Sequence, residues 1–427
     1  MPRRYPQHFC FQYTISSYRS KACAGAVLVT QGTVHENYFS RRLSERIRQG
    51  GGILNAHCHI DRFATAGPQW LPESYDHEQL EKVRLWSKQD HTRLLHRSEA
   101  YQRGSLEQRM QIFLHQSIEL GVRRVDSFID IAEDIALDGG HGALNTALTA
   151  KASVRGRIDF RVGAYAPFGF KASCCTDWDL FEAAAAVADF IATSPERDDP
   201  VFYGAEPDHI GLDEHFHRTL ALALDLGKPL HYHIDQQVSP HEGCSEALLD
   251  HLESSSVCDR LLRDGDQLPL VWLVHMISPV TYRTQRLRSL LDRIAAYRIG
   301  IICCPSAGLS MRKYSFVPSQ LNASVAPVLE LLERDIPVRL GTDNVDDMFL
   351  PATSLDMRNE VNCLANALRF YGPGVLAKLA CGRPLGQDDT GVVAQHLAVE
   401  RREYERYGEQ LRRLGMEPGT GSTDGGV

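Results

Sequence analysis

The sequence has no apolar run approaching the roughly 18–20 residues that cross a bilayer. That argues against a membrane-spanning helical protein. The opening Met1-Pro2-Arg3-Arg4-Tyr5-Pro6 is basic but is not followed by an apolar stretch, so no secretory signal is expected. Regular cysteine spacing is also missing. The 11 cysteines are odd in number and include the adjacent pairs Cys174-Cys175 and Cys303-Cys304. Neighbouring cysteines rarely bridge, so the reading is a set of mostly buried thiols in a reducing cytoplasm. Positive charge is not in excess: the formal net charge is −8, which argues against nucleic acid or an anionic membrane as a partner. No internal repeat is visible. A small-molecule substrate is the partner that remains, and homo-oligomerisation stays open.

Apolar residues are plentiful. They make up 43% of the 427 residues, enough for a sizeable core, and charged residues make up 23%, as in an ordinary globular protein. Residues 1–52 read as an N-terminal lead-in, with Ala26–Thr30 a strand candidate and Ser40–Gln49 a helix closed by Gly50-Gly51-Gly52. Residues 53–415 read as one barrel domain with C-terminal helices, and 416–427 as a Gly-rich, polar, disordered tail. The charged run Glu400–Arg413 reads as a solvated helix face.

From Ile53 onward, short apolar runs alternate with amphipathic stretches, which is the pattern of a parallel sheet. The strand candidates are Ile53–His57, Val122–Ile129, Phe160–Ala166, Phe202–Ala205, Pro229–His233, Leu270–His275, Gly300–Cys304 and Val338–Gly341. The intervening helices include Leu106–Leu120, Trp178–Thr193, Glu214–Leu226, Ser245–Glu253, Thr281–Tyr297 and Ala326–Glu333. Eight such units predict an α/β fold, a (β/α)₈ TIM-type barrel, with no obvious β-sandwich at either end.

The first strand runs into Ala56-His57-Cys58-His59-Ile60-Asp61. Residues i and i+2 of a strand share a face, so His57 and His59 can chelate one divalent ion at the barrel's C-terminal end, where barrel enzymes carry their sites. Alone the pair is a weak motif. Three later runs end alike: His231-Tyr232-His233-Ile234-Asp235-Gln236, Val274-His275 and Gly341-Thr342-Asp343-Asn344. Buried ionisable groups are costly without a partner, and one shared metal explains four such strand ends together.

This set resembles the amidohydrolase superfamily, in particular its cytosine deaminase branch. The resemblance extends to Ala56–Gly67, to Gly121–Asp130 and to Gly341–Val345, and covers roughly residues 53–375. It implies that His57, His59, His233 and Asp343 hold one metal, Zn²⁺ or Fe²⁺. It implies that His275 assists the attacking water or holds the substrate oxyanion. Asp343 would both ligate and accept the water's proton. The implied reaction is hydrolysis of a C–N bond, by deamination or amide cleavage, in a small, nitrogen-rich, cyclic substrate.

Three positions depart from the branch. Gln236 stands where a proton-shuttling Glu is usual, and an amide exchanges no proton at neutral pH. Phe168 replaces a substrate-binding Gln, and Asn344 replaces a carboxylate. Gln236 then positions substrate, alongside Phe168, Asn344 and His275, and proton transfer falls to Asp343 or Asp235. A non-deaminating reaction (decarboxylation or cyclisation) stays open, as does a non-catalytic metal-retaining binding protein.

Other polar residues have plainer readings. His231 reads as a core histidine one layer below His233. Asp61 either orients a ligand histidine or caps its loop, and Asp130 ends the second strand. His77, His91, His96 and His115 read mostly as surface residues. Cys58 points into the helix layer. His241 and Glu242 follow the fifth strand, and Arg312, Lys313 and Tyr314 follow the seventh; either group lines the pocket or is ordinary loop.

Overall fold

The structure is a computed structural model that describes residues 37–70, 85–201, 204, 208–255, 269–311 and 323–415. The expected strand Ala26–Thr30, the tail 416–427, His77 and the group Arg312–Tyr314 lie outside the described residues.

Eight strands follow one another in a single parallel sheet ordered β1 to β8. They are β1 (Ile53–Cys58), β2 (Val122–Asp130), β3 (Asp159–Ala166), β4 (Phe190–Thr193), β5 (Leu230–Ile234), β6 (Val271–His275), β7 (Gly300–Cys303) and β8 (Val338–Leu340). A parallel backbone bridge between Cys58 and Asp343 brings β8 back to β1, so the sheet forms a near-closed (β/α)₈ barrel. Every strand among the described residues belongs to this sheet.

The strands form where aliphatic and aromatic residues run together. All residues of β4, β5, β6, β7 and β8 are buried, as a sheet covered on both faces requires. Phe128, Tyr165, Phe190, Trp272, Val274 and Ile302 form one cluster with Leu54 and Ala56, while Leu106, Phe113, Leu220, Leu248 and Leu290 pack in the larger core with the helices. Burying each such large side chain contributes roughly 1.5–3 kcal/mol.

Seven of the expected strands correspond to observed ones. The fourth does not: β4 is Phe190–Thr193, within the stretch expected to be helical up to Thr193, and the helix before it stops at Val187. Residues 202–203 and 205 lie outside the described residues. The Ala-rich sequence 183–188 carries the helical pattern straight up to the strand and hides the boundary. Phe190 settles it by packing inside the barrel, 5.1 Å from Phe128 and 4.6 Å from His231.

Candidate metal centre

Strands β1, β5, β6 and β8 end beside one another in groups that share one small space. His57 Nε2 lies 3.2 Å from Asp343 Oδ1 and 3.3 Å from His233 Nε2. His59 Nε2 lies 3.5 Å from the same Asp343 oxygen, and His275 Nε2 lies 3.7 Å from Asp343 Oδ2. Two overlapping trios, His57–His233–His275 and His57–His59–Asp343, have ligand atoms within 4.8 Å of one another. All five residues are buried.

The backbone explains the convergence. Residue 341 must lack a Cβ, because one would sit 2.7 Å from both the Cβ and the carbonyl oxygen of His57. Glycine there lets β8 lie against β1, and the Asp343 N–H then bonds the His57 carbonyl at 2.9 Å. Asp343 and His275 both adopt positive φ, 60° and 76°, where an L-residue is strained. Such turns redirect the chain immediately at the strand ends, where these side chains meet.

The donor set suits a divalent cation. Two ligands about 2.05 Å from a tetrahedral zinc lie about 3.3 Å apart. The contacts around His57, at 3.2 and 3.3 Å, have that spacing. Burial pushes His59 and His233 well below the usual histidine range, with the neighbouring positive groups adding to it, so both rings are neutral and able to ligate. Burial likewise brings His275 down to about 4, although Asp343 opposes this. Burial alone would raise Asp343, but the His57 hydrogen bond and the neighbouring His57, His275 and Arg62 side chains outweigh it and keep the carboxyl below its usual range. The Nδ1 atoms of His57, His59, His233 and His275 are buried without a hydrogen-bond partner. Packing therefore orients the rings: Phe128 lies 4.1 Å from His57 and 5.3 Å from His233, and Tyr165 lies 4.8 Å from His233.

The other residues singled out from sequence divide into those beside this centre and those turned elsewhere. Gln236 is buried after β5 and donates its side-chain N–H to Glu196 Oε2 at 3.0 Å. Asp235 is not brought to the centre. Its φ is positive at 53°, and its carboxylate accepts the N–H groups of Cys244 and Ser245 at the start of the helix Cys244–Ser254. Asn344 bonds Asp347, whose other oxygen accepts the Phe349 and Leu350 N–H groups. Phe168 is buried with the Arg93 guanidinium over its ring at 3.8 Å. His231 stacks on Phe190 and is outside both metal-competent trios. Cys58 directs its thiol to the Asp126 carbonyl at 3.7 Å.

Two groups were missed. A buried polar network lies at the ends of β1 and β2. Asp130 accepts two bonds from Arg62, at 2.8 and 2.6 Å, one from His96 at 2.9 Å and one from Tyr101 at 3.1 Å. Asp61 accepts from Tyr101 and from the Asp130 backbone N–H, so it braces this network and does not bond a ligand histidine. His96 is therefore a buried residue and not a surface one. No local pattern marks it; its partner is 34 positions away. The second missed residue is Glu196, buried in the short turn Pro195–Asp198 after β4. Correct placement of β4 would have put it at the barrel's C-terminal face.

Comparison with known proteins adds the following. No protein-family model matches the chain. A protein of Haemophilus influenzae, itself uncharacterized, is 25% identical over 307 residues, covering 70% of this chain and 96% of that one. Among solved structures, 5-methylcytosine deaminase from Klebsiella pneumoniae liganded with 5-fluorocytosine superposes with a TM-score of 0.59 at 18% identity, covering 82% of this chain and 83% of that one. N-isopropylammelide isopropylaminohydrolase from Burkholderia multivorans gives 0.55 at 17%, covering 81% and 82%. At these identities the likeness is one of fold.

Proposed function

We propose that the chain is a metal-dependent hydrolase of the amidohydrolase superfamily that cleaves a C–N bond in a small nitrogen-rich ring compound. The observation that carries this is the convergence of His57, His59, His233, His275 and Asp343 at the ends of four strands. The two structural neighbours above are, by name, a deaminase and an aminohydrolase.

His57, His59, His233 and Asp343 would hold one Zn²⁺ or Fe²⁺. When bound, such an ion supplies an activated water at neutral pH. Asp343, ionised at neutral pH, accepts the proton of the attacking water on a carboxylate oxygen. His275, neutral and 3.7 Å from Asp343, orients the water or donates to the developing oxyanion. Gln236 offers hydrogen bonds only, so it binds and orients the substrate. Phe168 and Asn344 contribute shape and polarity to the pocket wall.

A second reading has one observation in its favour. The residue at the shuttle position is an amide, already bonded to Glu196. This suits a non-deaminating reaction, a decarboxylation or a cyclisation, that needs no protonation of a ring nitrogen from that side. Ammonia release from a panel of aminated heterocycles, with zinc- and iron-loaded protein, separates the two. Ammonia from any member supports deamination. Turnover without ammonia supports the second reading, and inactivity across the panel with metal bound removes the deaminase assignment.

A further inference from the structure

Strand β1 does not alternate regularly along its length. Asn55 stands opposite Val125 of β2 and Cys58 opposite Ser127, so Ala56 and His57 together face Asp126 alone. The strand carries one extra residue at this point, a β-bulge. In an unbroken strand Leu54, Ala56 and Cys58 would share one face, and His57 would take the other. The packing shows the break. Leu54 and Ala56 belong to the cluster inside the barrel, whereas Cys58 belongs to the core shared with the helices. The bulge moves the alternation by one, and His57 turns inward to lie 4.1 Å from Phe128.

A bulge leaves backbone groups out of the ladder, and buried ones need partners. The buried side chain of Asn55 supplies them. Its Oδ1 accepts the His57 N–H at 3.4 Å and, across the gap to β8, the Thr342 N–H at 3.1 Å. Its Nδ2 donates to the Thr342 hydroxyl at 2.9 Å, and that hydroxyl donates to the Asp343 carbonyl at 3.2 Å. Backbone N–H groups only donate, so the amide oxygen is fixed toward them and the nitrogen toward Thr342. The seam needs this help. The isolated bridge between Cys58 and Asp343 joins β8 to β1, and Asn55 stands in for ladder bonds one turn of the pleat earlier. The two residues it ties together directly precede the bulge and Asp343, and His57 Nε2 and Asp343 Oδ1 meet 3.2 Å apart.

We infer that Asn55 and Thr342 are positioning residues of the metal centre: Asn55 holds the bulge that turns His57 inward, and through Thr342 it fixes Asp343 beside that ring before any ion binds. The service to a metal rests on the function proposed above; the brace between β1 and β8 does not. Leucine at 55 keeps the size of the side chain and loses all three of its bonds. Valine at 342 keeps the shape and removes a partner from both Asn55 Nδ2 and the Asp343 carbonyl. Serine at 342 keeps the hydroxyl.

The test uses the full chain, stripped of metal and reloaded. Zinc affinity is read by competition with a chelator, at a temperature where the metal-free chain is folded. The visible absorption of the cobalt(II) form reads the ligand set. Asn55→Leu and Thr342→Val are expected to weaken zinc binding about 10- to 100-fold and to change the cobalt bands, while Thr342→Ser stays within about threefold of the wild type with its spectrum unchanged. Variants that unfold at a lower temperature but keep the wild-type zinc affinity and cobalt spectrum overturn the positioning role. A Thr342→Ser that fails as Thr342→Val does also overturns it, because the hydroxyl is then not the working group. If Asn55→Leu does not fold, the two Thr342 variants decide. If the wild type binds neither zinc nor cobalt, the metal reading fails, and the ring signals of metal-free, ¹⁵N-histidine-labelled protein decide the brace. The His57 signal, assigned by its loss in His57→Ala, is expected to move in Thr342→Val and to stay in place in Thr342→Ser. A His57 signal unmoved in both overturns the inference.

Discussion

Gln236→Glu places a carboxyl against the buried Glu196, and its cost can be worked from the surroundings. The amide nitrogen lies 3.0 Å from Glu196 Oε2. Gln236 is buried like Glu196, and burial beside that acid raises a new carboxyl by roughly three pKa units, or about 4 kcal/mol. The new carboxyl, near 4.3 in an unfolded chain, is thus raised to about 7 in the folded one. A raised folded pKa means that the unfolded chain releases the proton first. Stability is then intact below about pH 4 and is lost as pH rises toward the folded value, by about 1.4 kcal/mol per unit. Between pH 5 and pH 8 the variant is expected to lose roughly 3 kcal/mol more than the wild type. Urea unfolding at both pH values measures this. A variant whose deficit is the same at pH 5 and pH 8 would refute the reading that this buried position disfavours a charged carboxyl. Near neutrality the same proton supplies an acid where the amide supplies none, so any ammonia-releasing activity is expected to rise in this variant.

Three further outcomes follow from packing and charge. Gly341→Ala drives a Cβ to 2.7 Å from His57, and is expected to cost about 1–3 kcal/mol and to weaken metal retention, read by thermal unfolding and metal content. His96 lies between Asp130 and Asp134. Burial alone would lower it, but its bonds to the two carboxylates outweigh that and raise its pKa. Its contribution is therefore complete below about pH 6.5 and fades as pH rises through the folded value, and His96→Gln is expected to flatten that part of the stability–pH curve in urea titrations. Phe168→Leu removes the ring beneath Arg93 and is expected to cost about 1–2 kcal/mol at pH 7, measured by urea unfolding.

The parts of this molecule that were legible from sequence obey local rules. Seven strands announced themselves because apolar runs between polar helices have few other uses. His57 and His59 were readable as a pair because a strand repeats every two residues. His233, His275 and Asp343 were readable because each closes such a run. The fourth strand was missed because an alanine-rich helix leads into it without punctuation, and Glu196 was missed with it. Asp235 sits next to the site in sequence but is turned away by a positive φ, which no residue-type pattern reveals for an aspartate. The Arg62–Asp130–His96 network joins positions 34 and 68 residues apart, and only the closed barrel brings them together.

The central claim is that five strand-end side chains form one metal centre. Its most direct test is the metal content of the purified chain after chelation and reloading, by mass spectrometry, for the wild type, His57→Ala and Asp343→Asn. The account predicts one divalent ion per wild-type chain, with retention falling at least about tenfold in each variant, which loses one ligand of the set. A wild type that binds no divalent ion, or variants that retain it fully, would contradict the account.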